Sequence, residues 1–161
     1  MQLYRWSPIK TKEELLSAMS YVNEASSQLF FKITATVAPI SSLTIFAHYP
    51  DEFETLKMIQ AQMGRYVGEV SGPRVELHEP RRTGENVITH LRIREPDPYH
   101  THVGSNDYDI PDYMKFKEEF LSKKPHNMRL LVRPHYELLE LYDPDFDVLG
   151  YVLSEPDRSK R

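Results

Sequence analysis

The stretch LYDPDFDVLGYVL, residues 141–153, reads as two apolar strands joined by a short polar turn. Asp143, Pro144 and Asp145 supply the turn chemistry, because proline presets φ and an aspartate side chain accepts hydrogen bonds from the backbone that follows it. The pattern therefore predicts a β-hairpin as the last pair of strands in the chain.

The elements before this hairpin repeat one order twice. The sequence from 41 to 97 predicts a strand, a helix and three further strands, and the sequence from 98 to 154 predicts the same succession. The predicted strands cover residues 42–49, 65–70, 73–79 and 86–95, and then 102–110, 127–133, 137–142 and 147–153. This order predicts an α+β fold of two βαβββ modules. The two halves share little residue identity, so an α+β sandwich without internal symmetry is the alternative.

Three helices are predicted from the residues at their starts. Thr11 and Glu14 form a capping-box pattern in front of apolar residues at helical spacing. Asp51, followed by Glu54, and Asp112 are expected to cap the helix of each half. The predicted division is an N-terminal helical extension at 1–40, packed outside the modules, a two-module domain at 41–154 (41–97 and 98–154), and a mobile tail at 155–161.

Composition excludes several classes of function. The 161 residues carry a formal net charge of −4, so the chain has no overall positive field for nucleic acid. Cysteine is absent, which excludes disulfides, thiolate nucleophiles and cysteine-based zinc sites. No apolar run approaches the roughly 20 residues that span a bilayer, and the first ten residues lack the apolar centre of a signal peptide. A cytoplasmic protein that binds neither nucleic acid nor membrane is the expectation.

The element order resembles that of the vicinal oxygen chelate superfamily, which includes glyoxalase I, bleomycin-resistance proteins and extradiol dioxygenases. Two local signals add to the resemblance: YDPD at 142–145, in the last hairpin, and LHEP at 77–80, in the first half. The LHEP stretch is similar to a small bacterial branch with an extra N-terminal helical segment, which residues 1–33 would supply. The resemblance implies two modules, each a curled half-barrel, around one cavity. In catalytic members that cavity holds a divalent metal.

The same resemblance places metal ligands on the first and last strand of each module. Those positions fall near Ser42, among His90, Arg92 and Arg94, between His102 and Asn106, and at Gly150, five residues after Asp145. A catalytic member would carry His, Gln or Glu at all four. A guanidinium group is not a metal ligand, and glycine has no side chain. The resemblance therefore implies a member that keeps the fold and lacks the usual metal site.

Strand alternation gives an independent prediction of a binding surface. Leu91 and Ile93 would form the face that packs on a helix, so the residues between them point the other way. The predicted ligand-binding residues on that polar face are His90, Arg92, Arg94, Arg133 and Glu140. If the sheet curls, three arginine forks line a cavity suited to a carboxylate or phosphate group. If the sheet is flat, the same residues form a solvated face.

Alternation also predicts the core. The residues expected there are Leu77, Leu91, Ile93, Leu130, Leu139, Leu141, Phe53, Phe116 and Phe120.

The spacing of two histidines, one residue apart, indicates a candidate metal site. His100 and His102 would share a face if they lie on a strand, so both imidazoles could reach one ion, with His48 as a third ligand at the end of the first strand. The alternative is that residues 97–102 form a surface connector, which Pro98 favours.

Three functions fit these features. The first is a glyoxalase-like cavity protein that binds a small anionic molecule. The second is a lyase, isomerase or dioxygenase that uses a divalent metal at a relocated site built from His48, His90, His102 and Glu140. The third is a structural or regulatory protein that uses the fold as a homodimer platform. Fold alone does not choose among them.

Overall fold

The computed structural model describes residues 8–68, 73–123 and 126–154. The predicted tail at 155–161 lies outside these residues. The helices are α1 Lys12–Thr34, α2 Pro50–Met63 and α3 Tyr113–Phe120. The strands are β1 Ile40–Phe46, β2 Gly64–Val67, β3 Arg74–Thr83, β4 Asn86–Arg94, β5 Gly104–Tyr108, β6 Met128–Val132, β7 Glu137–Leu141 and β8 Val148–Leu153.

The strands form one mixed sheet in the order β2-β3-β4-β1-β5-β8-β7-β6. The two central strands, β1 and β5, are antiparallel to each other. On one side β1 pairs in parallel with β4, and on the other side β5 pairs in parallel with β8. The sheet curls without closing into a barrel. The prediction of an α+β fold with an N-terminal helix is therefore confirmed.

Two of the three predicted helix caps are confirmed. The Thr11 hydroxyl accepts a hydrogen bond from the Glu14 amide at 3.2 Å, and the Asp112 carboxylate accepts one from the Lys115 amide at 3.0 Å. The prediction that Asp51 caps α2 is wrong. The N-cap is Tyr49, without a side-chain hydrogen bond, and Pro50 opens the helix. Proline suits this first position because its fixed φ is helical and its missing amide donor would be unpaired there anyway.

All three helices pack on one face of the sheet, with α1 across its centre. Val22 of α1 lies against Gly104 of β5, where a Cβ would stand 2.7 Å from a valine methyl group. The Tyr108 hydroxyl of β5 donates to the Ser26 carbonyl of α1 at 2.6 Å. The N-terminal helix is thus part of the main core. No helix in the described ranges is long and apolar enough to cross a membrane.

Burial agrees with most of the predicted core. Leu77, Leu91, Ile93, Leu139, Leu141 and Phe116 are buried, and Phe53 and Phe120 are partly buried against the same cluster. Leu130 is the error, since 36% of its surface stays exposed. It lies on β6, the edge strand, where a side chain has a neighbouring strand on only one side.

Candidate functional site

The sheet face opposite the helices, here called the inner face, carries the polar side chains of the central strands. Leu43 and Ile45 of β1 lie in the core under the helices, so the residues that alternate with them point inward. The parallel register sets Ser42 beside His90, Thr44 beside Arg92, and Phe46 beside Arg94. His90, Arg92 and Arg94, three of the five residues predicted to bind ligand, thus share one face and one strand.

Arg74 joins this group, although the sequence argument did not select it. It is 3% exposed, and its Nη1 donates to the Ser42 hydroxyl at 3.3 Å. The antiparallel register of β3 and β4, which pairs Val75 with Leu91, places it on the ladder next to Arg92. Alternation along β3 was the available signal, because Arg74 is two residues from the inward-facing Glu76.

Arg94 is a partly exposed donor of this group. Its guanidinium lies 3.6 Å above the centre of the Phe46 ring, in a cation–π stack. Within the described ranges its ion pair is to Asp97, whose Oδ2 is 3.8 Å from Nη2 and so beyond hydrogen-bond distance. Burial lowers the pKa of Arg94, while the negative charges of Asp97 and Glu140 oppose that shift. The side chain is therefore a partly desolvated cation held flat by an aromatic ring.

Glu140 lies deeper on the same face and is 4% exposed. Its Oε2 accepts a hydrogen bond from the Tyr151 hydroxyl at 3.0 Å, and its Oε1 accepts one from the Arg129 guanidinium. Burial, and then the charge of Glu140, raise the pKa of Tyr151, so the phenol stays protonated as the donor. The two partners of this carboxylate come from β6 and β8, the strands that flank β7.

Arg133 and Glu140, the other two residues predicted to bind ligand, are not brought together. Arg133 lies exposed at the β6–β7 turn, where its amide donates to the Tyr136 carbonyl at 2.8 Å. The hairpin register pairs Arg129, not Arg133, with Glu140. That register follows from the four-residue connection between the strands, whereas the predicted strand bounds left three residues and so did not indicate Arg129.

A cavity of about 460 Å³ opens beside Glu140. Its described lining combines the polar residues His100, His102, Arg129, Glu140, Asp143 and Asp147 with Thr101, Tyr142, Pro144, Phe146 and Leu149. Burial, followed by the nearby His100, lowers the pKa of His102, and Glu140 opposes the shift. His102 is thus neutral at pH 7. Its buried Nδ1 has no hydrogen-bond partner among the described residues.

Of the three histidines predicted to bind metal, His100 and His102 lie close to each other. The rings of His100 and His102 have centroids 6.1 Å apart, and His100 Nε2 is 3.7 Å from the Asp97 carboxylate. His48 follows β1, and its amide donates to Glu52 at 2.7 Å. Within residues 8–68, 73–123 and 126–154, no three His, Asp or Glu side chains are placed to share a metal ion.

Gly150 does not face the cavity, so it is not an emptied ligand position. It pairs with Asn106 and lies under the ring of Tyr108, on the helix-bearing side of the sheet. A Cβ there would overlap that ring and stand 2.6 Å from its hydroxyl oxygen. The interpretation of Gly150 as a lost carboxylate ligand is wrong, because close packing excludes any side chain at this position. The inward residue of β8 is the next one, Tyr151.

The DPD turn that follows Glu140 has a structural role. Asp143 Oδ1 accepts a hydrogen bond from the Asp145 amide at 2.9 Å, as the sequence predicts. Lys32, in the last turn of α1, reaches both carboxylates at 3.0 Å. The turn therefore ties the long helix to one wall of the cavity.

Comparison with known proteins gives the fold alone. No family model matches the sequence, and no curated protein matches it. A solved structure from structural genomics, Protein EC4020, superposes with a TM-score of 0.67 at 14% sequence identity, over 96% of this chain and 93% of that one. The arrangement of helices and strands is thus shared along nearly the whole chain with a protein of very different sequence.

Proposed function

We propose that this is a glyoxalase-like cavity protein that binds a small anionic molecule on the inner face. In this proposal each half of the sheet is one βαβββ module of the vicinal oxygen chelate kind. The symmetric strand order supports the module interpretation, since β1 and β5 meet at the centre and each pairs in parallel with the last strand of its own half.

The observation that carries the proposal is the state of Arg94. Its side chain is 30% exposed, and its guanidinium is stacked on Phe46 without a carboxylate at hydrogen-bond distance among the described residues. A desolvated cation gains more from an anion than a hydrated cation does, because the water that would screen the pair is already reduced. A charge-assisted hydrogen bond of this type contributes about 1.5–3 kcal/mol. A ligand carboxylate or phosphate is therefore the natural complement.

One carboxylate of the inner face, Glu140, already has partners within the protein. Both oxygens of Glu140 accept hydrogen bonds, from Arg129 and from Tyr151. Glu76, farther out on the same face, is paired with Arg65 at 2.9 Å. Glu140 and Glu76 are therefore not expected to compete with a ligand for Arg94.

In this proposal the ligand reaches from Arg94 into the cavity beside Glu140, whose described lining does not itself include Arg94. A volume of about 460 Å³ falls within the range of small-molecule sites. Tyr142, Phe146 and Leu149 supply an apolar wall, which suits a compact organic acid better than a highly polar ion.

The test is calorimetry with benzoate and benzamide, which share a shape and differ in charge. At constant ionic strength, benzoate is expected to bind more tightly, and Arg94→Met should remove at least about tenfold of that difference. Arg133→Met is the matched control, because it removes an exposed arginine at the β6–β7 turn. Equal affinity for the two probes, or an equal effect of the two substitutions, would contradict the proposal.

A further inference from the structure

A second cavity, of about 450 Å³, lies on the helix-bearing side of the sheet. It is formed where the start of α1, the end of α2 and the outer part of β3 meet. Residues of two kinds are prominent in its lining: the cations Lys12, Arg81 and Arg82, and the apolar side chains of Leu16, Met63 and Leu77. It shares no described residue with the inner-face cavity.

The charge of this cavity differs from that of the chain. The protein has a net charge of −4, yet three cations and one carboxylate, Glu79, belong to the described lining. In the described ranges, the side chains of Lys12, Arg81 and Arg82 make neither ion pairs nor hydrogen bonds with other described residues. Arg81 is half-buried, and its Nε is fully buried without a hydrogen-bond partner in the same ranges. Such a buried donor is costly unless something accepts its hydrogen bond.

An irregularity in β3 gives the two arginines their positions. The pairing of β3 with β4 shifts register between Glu76 and Arg81, around Pro80. A bulge of this kind redirects side chains that regular alternation would send to opposite faces. As a result, the consecutive residues Arg81 and Arg82 both line the cavity.

We infer that this cavity binds a phosphate monoester with an apolar substituent. Two guanidinium groups and an ammonium group match a doubly charged oxyanion, and arginine donates in the fork geometry that phosphate oxygens accept. Leu16, Met63 and Leu77 would receive the apolar part. The inference is independent of the ligand proposed for the inner face.

A structural role for the cations predicts something different. The C-terminal end of α2, at Gln62 and Met63, borders the cavity and carries no basic residue in its last turn, so the cations could simply stabilise the helix dipole. In that case Arg81→Met and Arg82→Met would lower the unfolding temperature, and no phosphate ester would bind there.

The experiment is calorimetric titration of the full chain with phenyl phosphate, inorganic phosphate and phenol at constant ionic strength. Phenyl phosphate is expected to bind best, and Arg81→Met and Arg82→Met are each expected to weaken it by at least about tenfold. Arg133→Met is the surface control. Because the inner face is also proposed to bind anions, the titrations are repeated in an Arg94→Met background, where the binding that depends on Arg81 and Arg82 should persist.

Three results would overturn the inference. The first is absence of phenyl phosphate binding at millimolar concentration. The second is binding that Arg94→Met removes and Arg81→Met does not. The third is binding of anionic lipid vesicles or RNA without binding of phenyl phosphate, which would indicate a macromolecular partner. Circular dichroism of each variant separates loss of binding from loss of folding.

Discussion

Replacing Gly150 by alanine is expected to destabilise the protein severely, although a β-strand normally accommodates alanine better than glycine. The added Cβ would overlap the ring of Tyr108 and stand 2.6 Å from its hydroxyl oxygen. Overpacking of this kind costs about 1–3 kcal/mol. If the ring moves, its hydroxyl also loses the 2.6 Å hydrogen bond to the Ser26 carbonyl, and an unpaired buried group costs about 1–3 kcal/mol more. A loss of roughly 2–6 kcal/mol is a large part of the usual 5–15 kcal/mol stability of a domain.

Urea denaturation followed by circular dichroism measures this loss. Gly68→Ala is the matched control, because no atom lies within 4 Å of the Cβ it would add, and its stability should stay within about 0.5 kcal/mol of wild type. In a Tyr108→Leu background the cost of Gly150→Ala should fall below about 1 kcal/mol, since the clashing ring is gone. A Gly150→Ala protein as stable as wild type would refute the reasoning and restore Gly150 as an open position on the cavity side.

Two further predictions concern buried polar groups. Asn23 is 4% exposed, and its amide side chain donates to the Thr83 carbonyl and accepts from the Asn86 amide. Asn23→Leu leaves those partners unpaired and should lower the free energy of unfolding by about 1–3 kcal/mol in the same denaturation assay. Burial lowers the pKa of His102 below 6.5, so the unfolded chain binds a proton that the folded protein does not, and the free energy of unfolding should fall as the pH drops through about 6.5. His102→Gln should reduce that fall, and identical pH profiles for the two proteins would contradict the assignment.

Local rules predicted the features that depend on a few consecutive residues. Thr11 and Asp112 cap helices as expected, and the Asp143 side chain forms the predicted turn. Asp51 does not cap a helix, because Pro50 already occupies the first helical position. The same kind of rule fails whenever two local signals compete for one position.

Features that depend on the partner strand could not be predicted in the same way. Alternation put His90, Arg92 and Arg94 on one face, but it did not say which residues lie beside them. Arg129 was missed because only the pairing of β6 with β7 brings it to Glu140. Gly150 was misinterpreted because the sequence shows only that a side chain is absent there. The reason for its absence, the close packing of the Tyr108 ring, is visible only in the structure.

These pairings change the electrostatic argument for the inner face. Glu140 is the one carboxylate among the five residues predicted to bind ligand. In the structure Glu140 is held by Arg129 and Tyr151, and Arg129 keeps 58% of its side chain exposed. The carboxylate thus offsets a cation at the edge of the sheet, and its effect on Arg94 is reduced to a longer-range attraction. Because Arg94 remains stacked on Phe46 with its nearest ion pair at 3.8 Å, the case for an external anion is stronger at this residue than the sequence indicated.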